Sequence, residues 1–267
     1  MKKAISVILS VIIVISFTVP CFAQESEKPT YLLLGDSIAK GSGILNSDEA
    51  CFGRIVADTN GYNYINRGID GFTTADLDSL LDRSDVISDV EKADIISISI
   101  GGNDFLTKNV LNPLITAIAM TFGNSEPCRR TADRSYPLFC SVIEKIKAAN
   151  PDAVILVQTI YNPKYPVLRY ALNQVVRIIN ENYTKYLEEN PDAFVLVDVY
   201  KALENESFYT ALDTIHPNAK GNVLIAREIL KTLYSLGLGT ETEPIVYHQG
   251  VSEIALPVYW IYKLLIR

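Results

Sequence analysis

Two short stretches of this chain carry side chains able to do nucleophilic chemistry together. "GDSIAKG", residues 35–41, places Ser37 directly after an apolar run, with Gly35 and Ala39 small enough for a tight strand-to-helix turn. "DTIHPN", residues 213–218, holds His216, one of 2 histidines in the chain, with Asp213 three residues before it and Pro217 after it. A serine hydroxyl becomes a nucleophile when an imidazole takes its proton, and a carboxylate on the other ring nitrogen orients that imidazole. The Asp-x-x-His spacing lets Asp213 reach His216 Nδ1 within one turn of backbone, and Pro217 biases His216 away from helical dihedrals and can open the next helix. Acyl transfer also needs donors for an oxyanion. Gly68 in "NRGIDG" (residues 66–71) has an N–H that no Cβ shields, Asn103 in "GGND" (residues 101–104) offers an amide, and the Ser37 N–H completes a cradle of three.

These blocks are useful only if one scaffold gathers them. Apolar, β-branched runs recur at "TYLLL" (30–34), "YNYI" (62–65), "DIISISI" (94–100), "AVILVQTI" (153–160) and "FVLVDV" (194–199), and they read as strands buried on both faces. Residues 141–149 and 167–187 return apolar side chains at three- and four-residue steps, as helices do. "ANPDAVILV" and "ENPDAFVLV" repeat one helix-to-strand junction rather than mark a solenoid. Alternation of this kind predicts an α/β fold, a parallel sheet with helices on both faces, whose ligands bind beyond the carboxyl ends of the strands. Ser37, Gly68 and Asn103 each follow a strand at once and His216 follows the fifth after a connection, so all four fall on one rim.

Each motif alone has a plain explanation in turn chemistry, close packing or helix capping. In this order the four blocks, centred on Ser37, Gly68, Asn103 and Asp213 with His216, resemble those of the SGNH or GDSL hydrolases over residues 31–236. The resemblance implies a three-layer α/β/α sandwich with a five-stranded, mostly parallel, flavodoxin-like sheet, and serine-dependent hydrolysis of esters or thioesters without a cofactor. "GDSI" replaces the family's usual "GDSL", one aliphatic residue for another, while Ala39 departs from the G-x-S-x-G elbow of the α/β-hydrolases.

Residues 1–23 have the layout of a secretory signal: Lys2 and Lys3, an apolar run over 4–19, then Pro20 and "CFA". The expected organisation is a leader over 1–23, a hydrolase domain over 24–240 and an apolar extension over 241–267, in a secreted or extracytoplasmic protein. Loss of Lys2 and Lys3 takes the 24 basic residues to 22 against 31 acids, a net charge of about −9. An acidic chain with no basic cluster is a poor partner for nucleic acid or for anionic membranes. Two histidines are too few for a zinc hydrolase, and "GDSIAKGSG" lacks phosphate-loop spacing. A non-catalytic binding domain on the same fold is the competing class. Cys128 and Cys140 are candidates for a disulfide, with Cys51 a buried small hydrophobe.

Substrate class rests on less. Residues 105–123 form an apolar segment issuing from the rim, either one wall of an acyl pocket or a core helix broken at Pro113. The first reading points to lipid or acyl esters; acetylated polysaccharide is the alternative. Residues 254–267, "IALPVYWIYKLLIR", are too short to span a bilayer and divide between a cover for an apolar patch, which Pro257 favours, and a membrane-surface segment of mixed aromatic and basic character.

Overall fold

The computed structural model describes residues 28–105, 120, 122–163 and 169–252. The expected leader, most of the apolar segment after Asn103, and residues 254–267 lie outside the described residues.

Strand β1 (Thr30–Gly35) leads into the short helices α1 (Ser37–Lys40) and α2 (Ser47–Ala50), then α3 (Phe52–Asn60) and β2 (Asn63–Gly68). Helices α4 (Thr74–Leu80) and α5 (Ser84–Lys92) precede β3 (Ile95–Ser99), which ends in a single 3₁₀ turn, Gly102–Asp104. Helix α6 (Glu126–Ala149), β4 (Val154–Gln158), α7 (Arg169–Glu189), β5 (Val195–Val197), α8 (Val199–Glu204) and α9 (Ala219–Ser235) complete the described elements. The sheet runs β2-β1-β3-β4-β5 with every pair parallel, so all five expected strands are present.

Side-chain alternation explains the three layers. Leu32 and Leu34 of β1 pack with Ile96, Ile98, Ile155 and Val157 under α4, α5, α6 and α7. Tyr31 and Leu33 point the other way, with Ile95 and Leu156, onto α3, α8 and α9. These four β1 side chains are fully buried, and the three leucines are worth roughly 1.5–3 kcal/mol each in transfer free energy. Strand β2 departs from the expectation of burial on both faces, because it is an edge strand with no fully buried residue. Helix α6 runs well N-terminal of residue 141 and carries Pro137 inside it.

The same helix settles the cysteines. Cys128 and Cys140 both lie on α6, twelve residues apart, so they stand roughly 18 Å apart along its axis at 1.5 Å per residue, far beyond disulfide reach. All three described cysteines are free thiols, and the expected pairing is excluded.

The chain leaves β1 for β2 on one side and returns to β3 on the other. The crevice between the ends of β1 and β3 is therefore the topological switch point, where open parallel sheets bind ligands.

Candidate active site

Ser37 is positioned by the way β1 ends. A Cβ on Gly35, where φ is +147°, would fall 2.0 Å from Ser99 O on β3, so any larger residue would part the two strands at the switch point. Asp36 N–H then donates to Ser99 O at 3.1 Å, and the Asp36 carboxylate caps α1 by accepting from Ile38 N–H at 2.9 Å. Ser37 is the first residue of α1, where no helical carbonyl is available to its N–H. Its Oγ lies 2.8 Å from His216 Nε2.

The histidine is held by a loop with a strained centre. One Asp213 oxygen accepts from the N–H groups of Ile215 (2.9 Å) and His216 (3.0 Å), and the other meets His216 Nδ1 at 2.5 Å. This arrangement requires Thr214 at φ 65°, a left-handed conformation that a β-branched residue adopts only under constraint. Tyr161, beyond β4, supplies part of that constraint by donating its hydroxyl to Ile215 O at 2.5 Å. Helix α9 begins two residues beyond Pro217, with Asn218 as its cap, accepting from Gly221 N–H at 3.0 Å.

Charge is arranged to favour a protonatable imidazole. Burial works against His216 becoming charged, but the hydrogen bond and charge of Asp213, with the charges of Asp36 and Asp70, outweigh it and hold the pKa above its ordinary value. Burial also opposes ionisation of Asp213, yet His216 and the two backbone donors keep its pKa low. Asp36 behaves differently: desolvation pushes its pKa up to about 7, against the Ile38 N–H and the His216 charge that favour ionisation.

The expected oxyanion donors arrive unequally. Asn103 Nδ2 donates to Phe72 O at 2.9 Å and lies 3.5 Å from Asp36 Oδ2, too long for a good bond, so one of its protons is only weakly engaged. Gly68 N–H, by contrast, donates to Asn66 Oδ1 at 2.8 Å, while Asn66 Nδ2 donates to Ala39 O at 3.0 Å. A Cβ on Gly68 would sit 2.4 Å from Lys40 N, so its glycine is a packing requirement between β2 and α1. Gly71, passed over in the sequence, ends the same block at φ +77° with open space where a Cβ would stand. Asp104 is engaged elsewhere, its carboxylate accepting from Thr74 Oγ1 at 2.7 Å and from Thr74 N–H.

Asp36 and Thr214, like Asn66, Gly71 and Tyr161, are site residues that sequence reasoning did not single out. Asp36 carried a signal, an acid between a strand-ending glycine and the serine; Thr214 carried none. Among the described residues no group of three or more His, Cys, Asp or Glu side chains is disposed to hold a metal ion.

The profile of the GDSL-like lipase/acylhydrolase family matches residues 33–224, well over half of the chain. The chain belongs to this family. A GDSL-family chain of this kind is similar to the uncharacterized protein YpmR of Bacillus subtilis strain 168, at 23% identity over 234 residues, 82% of this chain and 88% of that protein. The GDSL-family fold is shared with the lipase Lip_vut3 from a goat rumen metagenome, at a TM-score of 0.64 and 20% identity, covering 79% of this chain and 99% of that one. It is shared also with the acetylxylan esterase Axe2 of Geobacillus stearothermophilus, at a TM-score of 0.55 and 21% identity over 81% and 98% of the two chains. At these identities the likeness is one of fold.

Proposed function

We propose that this GDSL-family protein is an exported, serine-dependent ester hydrolase using Ser37, His216 and Asp213. The observation that carries the reading is the unbroken relay from Ser37 Oγ to His216 Nε2 at 2.8 Å and from His216 Nδ1 to Asp213 at 2.5 Å. Ser37 Oγ attacks the ester carbonyl carbon as His216 Nε2 takes its proton, and Asp213 stabilises the imidazolium. His216 then gives that proton to the leaving alkoxide, which departs as the alcohol. A water, deprotonated by the same nitrogen, releases the acid from Ser37.

The developing oxyanion is met by the Ser37 N–H, the Asn103 amide and one N–H of the turn over 66–71. Because the Gly68 N–H is bonded to Asn66, we assign the third donor to Gly71. An acyl-ester substrate is supported by the exposed Leu45 and Leu212, which flank the site in sequence and offer an apolar approach. Labelling with a fluorophosphonate tests the mechanism: covalent modification of Ser37, lost in Ser37→Ala, is the expected outcome. An unlabelled chain with the same fold would favour a binding domain. Rates on aryl esters from acetyl to long acyl, beside acetylated sugars, test the substrate class.

A further inference from the structure

The loop between α1 and α2, residues 41–46, touches both partners of the Ser37–His216 bond. Ser42 N–H donates to Ser37 O at 2.9 Å, and Ser42 Oγ donates to Asp70 at 2.6 Å, so one residue ties the nucleophile's helix to the turn after β2. Gly43 packs on the histidine: a Cβ there would stand 2.9 Å from His216 Cβ and 2.5 Å from Pro217 O. A shift of this loop would therefore be felt at the 2.8 Å contact between His216 Nε2 and Ser37 Oγ.

What holds the loop is a strap, residues 238–252, which lies beyond the family match over 33–224. Helices α3 and α9 run side by side and begin together, where Phe52 N–H of α3 donates to Asn222 Oδ1 of α9 at 2.9 Å. At their other ends Tyr62 donates to Leu238 O, and Thr240 N–H donates to Asn60 Oδ1 at 3.1 Å. From there the chain runs back along the pair. Ile245 N–H donates to Thr59 Oγ1 at 3.0 Å, and Arg227 pairs with Glu243 at 2.8 Å. Gly250 reaches the start of α9, where a Cβ would stand 3.0 Å from Ala219 Cβ and 3.5 Å from Ile44 Cγ2. There the strap meets the loop: Leu45 N–H donates to Val251 O at 2.8 Å, and Ser252 forms an antiparallel bridge with the buried Ile44.

Asn46 makes the join. It stands at the N-cap of α2, where an asparagine oxygen ordinarily accepts from an N–H of the first helical turn, yet it makes no such bond. Its oxygen accepts instead from Val251 N–H at 2.8 Å, and its nitrogen donates to Gln249 O at 3.2 Å. One amide thus grips the strap's backbone through both a donor and an acceptor, as a neighbouring strand would, and the cap of α2 is given up for it. We propose that Asn46 is a positioning residue for the chemistry of Ser37 and His216: by clamping the strap to loop 41–46 it fixes that loop against His216 and so sets the approach of Nε2 to Ser37 Oγ. This role rests on the ester-hydrolase reading, whereas the coupling of strap to histidine loop can be measured without turnover.

Asn46→Ala, and Gly250→Leu, which lifts the strap from Ala219 and Ile44, should each lower kcat on an aryl ester by roughly 10-fold or more with KM unchanged, since a 1 Å misplacement can cost about 10²-fold. Asn46→Asp keeps an acceptor for Val251 N–H and should fall between Asn46→Ala and the parent. Asn150→Ala is the control for stability alone: it frees Val90 O and Ala93 O at the other end of the sheet, and should lower the melting temperature while leaving kcat in place. Hydrogen exchange reads the coupling directly, because Ala211 N–H, bonded to His216 O at 2.7 Å, and Asn218 N–H, bonded to Tyr209 O at 3.0 Å, report on the histidine loop. Both amides should exchange several-fold faster in Asn46→Ala and Gly250→Leu, and at the parental rate in Asn150→Ala. Parental kcat in both strap variants, or unchanged exchange at both amides, would overturn the proposal. So would a rise in KM alone, which would make the strap part of the substrate site, or a loss of kcat that Asn150→Ala shares at an equal fall in melting temperature. A parent that hydrolyses no ester, with exchange still faster in the strap variants, would sink the hydrolase reading and uphold the clamp.

Discussion

Asn66 holds the Gly68 N–H at 2.8 Å with its side-chain oxygen and Ala39 O at 3.0 Å with its side-chain nitrogen. One side chain thus ties the turn after β2 to the helix that carries Ser37. Asn66→Ala should cost about 1–3 kcal/mol through the loss of these bonds, seen as a lower melting temperature, and should lower kcat by loosening the turn. A rise in kcat would mean that the freed Gly68 N–H, not that of Gly71, serves the oxyanion. Asn103→Ala is expected to lower kcat by about 10²–10³ with little change in KM.

Ser37→Ala and His216→Ala should each remove nearly all ester hydrolysis, and the double variant should be scarcely worse, since groups acting as one unit do not add. Thermal unfolding of Ser37→Ala should match the parent. A tenth of parental turnover remaining in Ser37→Ala would remove the serine from the mechanism.

Acidification protonates His216 and stops it from accepting the serine proton. Because its pKa lies above the ordinary 6.5, the acid limb of kcat/KM should have its midpoint above that value. Asp213→Asn removes the charge that favours imidazolium, so the limb should move to lower pH while kcat falls by about 10³–10⁴. A limb that stays in place would argue that Asp213 does not set the basicity of His216.

The pKa of Asp36, raised to about 7, carries a stability signature. Between the ordinary aspartate value of 3.8 and that raised value the folded protein keeps a proton that the unfolded chain has released, so this contribution is full at low pH and is lost as pH rises through about 7. Asn at this position does not titrate and can still cap α1. The melting temperature of Asp36→Asn relative to the parent should therefore climb from pH 5 to pH 8. A constant difference would mean that Asp36 ionises normally in the fold.

With Cys51, Cys128 and Cys140 all free, the chain from Gln24 should show three alkylatable thiols on denaturation without reductant, by intact mass. Native alkylation should favour Cys140, the least buried of the three.

Much of the scaffold is written locally. Strand β1 reads as "TYLLL" because both of its faces meet helices, and the same burial makes β3 and β4 nearly continuous apolar runs. The blocks at their ends are legible for a related reason: a parallel sheet sends every strand to the same edge, so order along the chain already predicts a shared rim for Ser37, Asn103 and His216. Edge strand β2, with no fully buried residue, and the first half of α6, whose buried stripe rests on the small Cys128 and Ala132 among charged neighbours, were harder.

Tertiary structure alone decided which atoms meet. Nothing in the word "DTIHPN" requires Thr214 to turn left-handed; that conformation is imposed by Asp213, Tyr161 and the start of α9 together. "NRGIDG" offers two glycines, and only the approach of Lys40 and the Asn66 bond separate a packing glycine from an open one. Cys128 and Cys140 look like a pair until one helix spaces them rigidly apart. Composition and period are properties of a few neighbouring residues and survive in the sequence. Contacts such as Ser37 to His216, 179 residues apart, exist only once the sheet has closed and the loops beyond it have nowhere else to go.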